Sequence, residues 1–397
     1  MELFAEDIST LEKDIDDLRN KLLRAKSITE YRAIVFQLDS LIDLYTYLTG
    51  DKSYKRKIRK NKNNLRSVDG YIHKIEEKYI DNFIDYKNLH KKNCAEIVSR
   101  YEEVSEKIED YYINEEEVPI EEIIDVITVF LKGYNKGYEN IFNKLISEKR
   151  IYLVKDIIDN DGESYICSIG EIFLIIISHD KIKNTIHLMT TIVHEIGHII
   201  DHLQSNDSLK KENEYYANTF YGEVFSRFFE KEFLEYLINN RKEVEGLAKD
   251  ELEAMYFALA TDAEGVAITS AMTDEQIRTD SYKYLSYEYV KKLVDNENLP
   301  IDMDTYMEDI APLHEFNLFD SNLYVYGGLI ASYLSHLRKN DKEKFERIYN
   351  NFVRISRHNF SEELFEVLET TPDKLIDTLF EEIKILEDNE KVKTKKD

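Results

Sequence analysis

Two histidines and a glutamate lie within five consecutive residues, as His194, Glu195 and His198 in the pattern His-Glu-x-x-His. Side chains four residues apart lie on the same face of a helix, so both imidazoles can reach one metal ion. Glu195 is turned by only about 100° from His194 and can act as a general base beside that ion. The spacing therefore predicts a metal site with its own base. The alternative is two structural helix histidines beside a surface carboxylate.

A catalytic zinc ion needs a third protein ligand and an open fourth position. The residue six positions after His198 is Gln204, which excludes the third histidine of an HExxHxxGxxH motif. Glu223 lies in an apolar stretch that predicts a second helix over residues 212–230, where a carboxylate is costly to bury without an ion or a hydrogen-bond partner. We therefore predict one Zn²⁺ per chain, bound by His194, His198 and Glu223.

The sequence resembles the thimet oligopeptidase and oligoendopeptidase F family of zinc peptidases. Three blocks carry the resemblance: His-Glu-Ile-Gly-His at 194–198, Gly-Glu-Val-Phe-Ser-Arg-Phe-Phe-Glu at 222–230, and Asp-Ser-Asn-Leu-Tyr-Val-Tyr-Gly-Gly at 320–328. The resemblance implies that the glutamate inside the first block is the base and that the first glutamate of the second block binds zinc. These residues are Glu195 and Glu223.

The third block is similar to a tyrosine-rich segment that, in this family, contacts the substrate and the transition state together with a preceding histidine. The corresponding residues here are Tyr324, Tyr326 and His314, which lies twelve residues before Tyr326. We expect Tyr326, with Tyr324 or His314, to donate hydrogen bonds to the oxyanion that forms during peptide hydrolysis. Residues 324, 326 and 314 are therefore predicted catalytic residues beside Glu195.

The resemblance thus implies a zinc-dependent endopeptidase, a hydrolase that cleaves short, unstructured peptides by means of a zinc-activated water. A narrower alternative is a dedicated processing peptidase for one precursor peptide. A second alternative is a non-catalytic helical binding or scaffold protein with a vestigial zinc site. A zinc-peptidase toxin or another family with the HExxH motif is a third.

The elements around the motif must hold these groups in place. Around the motif, apolar residues recur at helical spacing: Ile186, Met189, Val193, Ile196, Ile200 and Leu203. Before the helix, three short β-type runs begin at Ile151, Ser164 and Glu171, and glycines separate them. We predict a small antiparallel sheet next to the active-site helix. The resemblance further implies that the run at 171–177 is an edge strand that pairs with an extended peptide.

The whole chain has 397 residues with only 12 Gly and 4 Pro, which predicts a mainly α, multi-helix fold. The resemblance implies that this fold is that of a zincin-type peptidase. Apolar spacing predicts a helical hairpin within the first 50 residues, and Pro119 with its acidic neighbours predicts a helix from about 120 to 145. We predict three regions: an N-terminal helical region at 1–145 that forms one wall of a cleft, a catalytic region at 146–390, and a disordered tail at 391–397.

The net charge of −26 argues against nucleic acid as a partner, because phosphate binding requires clustered cations. The two cysteines are too few and too distant for a disulfide framework, which indicates a reducing compartment. No signal-peptide pattern or membrane-spanning apolar run is visible in the sequence. We therefore expect a cytoplasmic protein whose partners are short peptides, with no membrane partner.

Overall fold

The computed structural model describes residues 9–24, 34–35, 38, 41–42, 44–46, 48–54, 62–105, 120–154, 162–167, 172–178, 182–212, 222–279, 286–306, 320–353 and 362–393. Within these residues the helices with described bounds begin with α1 Ser9–Leu22, α2 Lys62–Ser105, α3 Ile120–Tyr134, α4 Lys136–Ser147, α5 Thr185–Glu212, α6 Val224–Asn240 and α7 Glu245–Ala271. The others are α8 Asp274–Arg278, α9 Tyr287–Glu297, α10 Met303–Thr305, α11 Asp320–Asn340, α12 Lys342–Phe352, α13 Glu362–Val367 and α14 Pro372–Lys393. The strands are β1 Ile151–Val154, β2 Gly162–Cys167 and β3 Ile172–Ser178. The mainly α fold with a small sheet is confirmed.

The described residues group into two compact units, each built from separate segments of the chain. The first unit comprises Met1–Ile75, Asn114–Ala217 and Phe233–Val244, and the second comprises Glu76–Ile113, Asn218–Glu232 and Glu245–Asp397. The units are defined by packing, so the predicted functional division at residue 145 stays a prediction. The last helix ends at Lys393, and the remainder of the predicted tail lies outside the described residues.

One side of the core of the first unit is formed by helix α1 together with the helical residues described between 34 and 49. The predicted stripe of α1 is buried at Leu11, Ile15 and Leu18. These side chains join a cluster with Leu41, Tyr45 and residues of the sheet, including Leu174 and Ile176. The pairing of two helical segments predicted from the apolar spacing is thus consistent with the described residues, and it covers one face of the sheet.

The sheet has the strand order β1-β3-β2. Strands β2 and β3 pair antiparallel, as predicted, but β1 pairs parallel with β3, so the prediction of a wholly antiparallel sheet was wrong. Strand β3 lies in the centre, which corrects the prediction that 171–177 is an edge strand. Its run from Leu174 to Ser178 is entirely buried, and a continuous apolar strand of this kind is typical of a central position.

The predicted helix from 120 to 145 is two helices, α3 and α4. Asn135 interrupts it in an extended conformation, with φ −158° and ψ 131°, and its side chain accepts a 2.7 Å hydrogen bond from the backbone N–H of Gly137. This is the geometry of a helix N-cap, for which asparagine is among the preferred residues. The start signal at Pro119 was read correctly, but this cap at Asn135 divides the segment that was predicted as a single helix.

The second unit is built around helix α11, most of whose residues are buried. This helix packs against α7, α12 and α14. An aromatic cluster joins the start of α6 to α12: Phe225 lies 5.3 Å from Tyr349, and Phe228 lies 5.8 Å from Phe345, between ring centroids. The first turns of α6 are therefore held firmly within this unit.

No helix in the described part of the chain combines the length and the apolar character needed to cross a bilayer.

Candidate metal centre

Helix α5 presents the His-Glu-x-x-His residues from within the core of the first unit. Its predicted apolar side is confirmed at five positions with at most 3% exposure: Ile186, Met189, Val193, Ile196 and Ile200. The helix packs against β2, β3 and α3. The rotation of the helix about its own axis is therefore fixed by burial of this side, which also fixes the direction of the polar residues.

The N-terminus of α5 is secured by hydrogen bonds within the chain. The side chain of Asn184 accepts a 2.7 Å hydrogen bond from the backbone N–H of His187 and so satisfies a donor that the helix leaves open. Further along, the hydroxyl of Thr191 donates to the carbonyl of His187 at 2.8 Å. These contacts satisfy buried polar groups one to two helical turns before the first histidine of the motif.

The side chains of His194, Glu195 and His198 meet as predicted. One possible ligand atom from each lies within 4.8 Å of those of the other two, and the group could hold a metal ion. The two imidazole rings have centroids 5.0 Å apart and planes inclined by 78°. Both histidines are half-buried, whereas Glu195 is only 4% exposed.

The chemistry of this group fits Zn²⁺. Imidazole nitrogens and carboxylate oxygens are the ordinary non-thiolate ligands of zinc, and two histidines four residues apart on a helix can share one ion. The partial exposure of the imidazoles leaves the group accessible from one side. A buried carboxylate beside such an ion is suitably placed for proton transfer.

Glu223 lies in the second unit, in the turn immediately before α6, and not within a helix as predicted. Its carboxylate oxygen Oε2 accepts a 2.8 Å hydrogen bond from the hydroxyl of Ser226, which is fully buried. Its backbone carbonyl accepts the first helical hydrogen bond of α6, from the N–H of Arg227. The role of Glu223 as the third ligand stays a prediction.

Gly327 on α11 lies directly against Glu223. A Cβ atom at position 327 would lie 2.6 Å from the Cβ of Glu223. The neighbouring Gly328 has the same relation to α7, where a Cβ would lie 2.3 Å from Cδ1 of Leu259. Helix α11 runs unbroken through both glycines, which permit close packing here.

Tyr326 is fully buried in the second unit. Its hydroxyl lies 2.9 Å from Nδ1 of His90 and accepts a 3.0 Å hydrogen bond from the side-chain amide of Asn93. Burial lowers the pKa of His90 to about 3, so its imidazole is neutral at pH 7. Burial also raises the pKa of Tyr326 well above its ordinary value, and the charge of a Cys94 thiolate would add to this effect.

These bonds form a consistent chain in which Asn93 donates to Tyr326 and Tyr326 donates to Nδ1 of His90. The proton on His90 is then assigned to Nε2. The hydroxyl of Tyr326 is thus engaged by His90 and Asn93. Its predicted contact with the reacting atoms stays a prediction. The sequence analysis missed His90 and Asn93, which stand on α2 without any motif around them.

Tyr324 is half-buried on the same helix, and its ring centroid lies 5.2 Å from Cζ of Arg227. Arg227 also donates a 3.0 Å hydrogen bond to Glu230, and a small cavity in the second unit is lined by Arg227, Tyr324 and Asp262. Burial alone would lower the pKa of Arg227, but the charges of Glu230 and Glu223 raise it overall. Tyr324 therefore lies beside a fixed positive charge, and its predicted catalytic role is untested. His314 lies outside the described residues.

The chain has an oligoendopeptidase-like peptidase fold. A proposed oligoendopeptidase F of known structure superposes with a TM-score of 0.55 at 13% identity, covering 97% of this chain and 77% of the other. PZ peptidase A, solved with an inhibitor, gives a TM-score of 0.51 at 13% identity, covering 98% and 78%. A proposed peptidase from Chlamydophila abortus gives 0.53 at 14% identity over 78% of this chain.

The chain spans 55% of the length of the Chlamydophila abortus protein. No protein-family model and no curated protein sequence matched the chain. At such low identity the structural likeness establishes the fold, and the chemistry must be argued from the residues of this chain.

Proposed function

We propose that this protein is a zinc-dependent peptidase that hydrolyses peptide bonds in short, unstructured peptides in the cytoplasm. The observation that carries the proposal is the meeting of His194, Glu195 and His198 on α5, with ligand atoms within 4.8 Å of one another. The oligoendopeptidase-like fold supports it, because the group stands on a helix that packs against a small sheet in a chain of that architecture.

Zinc, when bound, supplies a Lewis acid that lowers the pKa of a coordinated water to about 7. His194 and His198 would hold the ion through neutral imidazole nitrogens. We keep Glu223 as the proposed third ligand, on the basis of the sequence analysis. One ion per chain is expected.

Glu195 would accept a proton from the attacking water and later deliver it to the leaving amine. Its low exposure of 4% keeps bulk water from competing for that proton. Tyr326, with Tyr324 or His314, is kept as the proposed donor to the oxyanion. Proton transfer by a positioned carboxylate contributes about 10²–10⁴-fold to a rate, which sets the size of the effect expected on removing it.

A quenched-fluorescent peptide library tests the proposal directly. The zinc-loaded protein should cleave it, and Glu195→Gln should lower kcat by at least about 10²-fold while the zinc content stays the same. Glu366→Gln, an exposed glutamate on α13, is the matched control and should behave as wild type. Zinc-loaded protein without activity, or a fully active Glu195→Gln variant, would show that the proposal is wrong and would favour the scaffold alternative.

A further inference from the structure

We infer that Ser226 and Gly327 are positioning residues that hold Glu223 in one orientation. The inference deepens the proposed function and rests on it, because it concerns the residue proposed as the third zinc ligand. All three residues belong to the second unit, so the inference is argued from contacts within that unit alone.

Ser226 fixes the carboxylate end of Glu223. Its hydroxyl lies 2.8 Å from Oε2 and 3.0 Å from the backbone carbonyl oxygen of the same glutamate, so one donor serves two acceptors of one residue. Ser226 is fully buried in the first turn of α6. Because water cannot compete for this hydroxyl, the hydrogen bond restricts the rotamer of Glu223 more strongly than an exposed bond would.

Gly327 allows α11 to pack closely against the backbone end of the same residue. A Cβ atom there would lie 2.6 Å from the Cβ of Glu223, 3.1 Å from its carbonyl carbon and 3.2 Å from its carbonyl oxygen. The first of these distances is shorter than Cβ atoms show in proteins, and two of the three contacts are to backbone, which cannot rotate away. An alanine at 327 would therefore displace the turn that carries Glu223, or displace α11.

The glycine itself needs an explanation, since glycine is unfavourable in the interior of a helix. Position 327 lies within α11, where the backbone is helical and no positive φ is required. Close approach to the Glu223 turn supplies the explanation. Ser226 and Gly327 thus bracket the glutamate, one by a hydrogen bond and the other by the absence of a side chain.

Gly328 provides a matched control for the steric change. It is the next residue of the same helix, and a Cβ there would also clash, at 2.3 Å, but with the end of the flexible Leu259 side chain. Gly328→Ala therefore introduces the same extra atom into the same buried helix without touching Glu223. A general loss of packing should affect both alanine variants, whereas a positioning role belongs to Gly327 alone.

The test is the zinc affinity of the full chain, measured by competition with a chromogenic chelator, together with the visible absorption spectrum of the Co²⁺-loaded protein. Ser226→Ala and Gly327→Ala should each weaken zinc binding by about 10- to 100-fold and change the Co²⁺ spectrum. Gly328→Ala should stay within about threefold of wild type. In a Glu223→Ala background, Ser226→Ala should have almost no further effect on affinity, because the group that it orients is gone.

Several outcomes separate the inference from the function on which it rests. Wild-type zinc affinity in both Ser226→Ala and Gly327→Ala, with weaker binding in Glu223→Ala, overturns the inference and leaves the peptidase proposal standing. An equal loss in Gly328→Ala, or an additive loss from Ser226→Ala in the Glu223→Ala background, overturns it as well. A wild-type protein that binds no zinc overturns the proposed function together with the inference. If Gly327→Ala does not fold, Ser226→Ala decides, since it removes one oxygen and adds no atom.

Discussion

The hydroxyl of Tyr326 and Nδ1 of His90 lie 2.9 Å apart inside the second unit, although 236 positions separate them in the chain. The amide of Asn93 completes the arrangement from the same helix as His90. The burial of all three side chains makes this a structural hydrogen-bond network that joins α2 to α11. The contribution of this network to the free energy of unfolding can be measured separately from any role in the reaction.

Removal of the Tyr326 hydroxyl should destabilise the protein. Tyr326→Phe leaves buried polar groups of His90 and Asn93 without this partner, and we expect the free energy of unfolding to fall by about 1–3 kcal/mol. Urea denaturation measures this change. Tyr287→Phe, at a position 40% exposed, is the control and should change stability by less than about 0.5 kcal/mol. A Tyr326→Phe variant with wild-type stability and a large loss of kcat would instead support direct contact with the reacting atoms.

Replacement of a proposed histidine ligand should remove the metal. His198→Ala should lower the zinc content, measured by elemental analysis after dialysis, from about one ion per chain to nearly none, because two remaining ligands do not hold zinc tightly. His336→Ala is the control, since this histidine is also half-buried on a helix but is not a proposed ligand. Removal of zinc by a chelator should abolish peptide cleavage, and added zinc should restore it. Unchanged zinc content in His198→Ala would contradict the proposed site.

The ion pair between Lys231 and Glu382 should be important for stability. Lys231 is 1% exposed, its ammonium lies 2.6 Å from the carboxylate of Glu382, and it also donates to the hydroxyl of Tyr256. Lys231→Met removes the buried partner of Glu382 and leaves this carboxylate only the more exposed Lys339, 3.7 Å away, so the change should cost up to about 3–5 kcal/mol. Chemical denaturation provides the measurement.

A double replacement and a surface pair provide the controls for this prediction. Lys231→Met combined with Glu382→Leu should recover much of the lost stability, because neither charge is then buried alone. Lys92 and Asp373 form a pair at 3.1 Å with both side chains 63% exposed, and Lys92→Ala should change stability by less than about 1 kcal/mol. Equal effects from the buried and the exposed pair would show that burial does not determine the cost.

Glu264 should make stability depend on pH. Burial, assisted by the nearby charges of Glu102 and Asp302, raises the pKa of Glu264 to about 8. The folded protein therefore keeps a proton that the unfolded chain releases near its ordinary pKa of 4.5. The stabilisation is complete below the unfolded pKa and is lost as pH rises towards 8, at up to about 1.4 kcal/mol per pH unit.

Denaturation curves at pH 5.5, 7 and 8.5 test this dependence. Glu264→Gln should flatten the decline in unfolding free energy between these values, whereas Glu103→Gln, which removes an exposed carboxylate from α2, should leave the decline unchanged. Burial and the charge of Glu264 also raise the pKa of Tyr306, which lies above this range. A Glu264→Gln variant with the same slope as wild type would refute the assignment.

The sequence alone determined the local features of this protein. The pattern of His194, Glu195 and His198 predicted their proximity because α-helix geometry fixes which side chains lie together, whatever surrounds the helix. The apolar stripes of α1 and α5 and the β2–β3 hairpin follow from equally local rules. These features were confirmed because each depends on residues only a few positions apart.

Only the tertiary structure decided the contacts between distant segments. No periodicity in the sequence indicated that β3 would lie between β1 and β2, that His90 and Asn93 would engage Tyr326, or that Gly327 would lie against Glu223. Such contacts depend on how all the elements of a unit pack at once, since a close approach at one position is possible only when every neighbouring side chain fits. The sequence therefore determined which side chains can carry the chemistry, and packing decided which residues hold them in place.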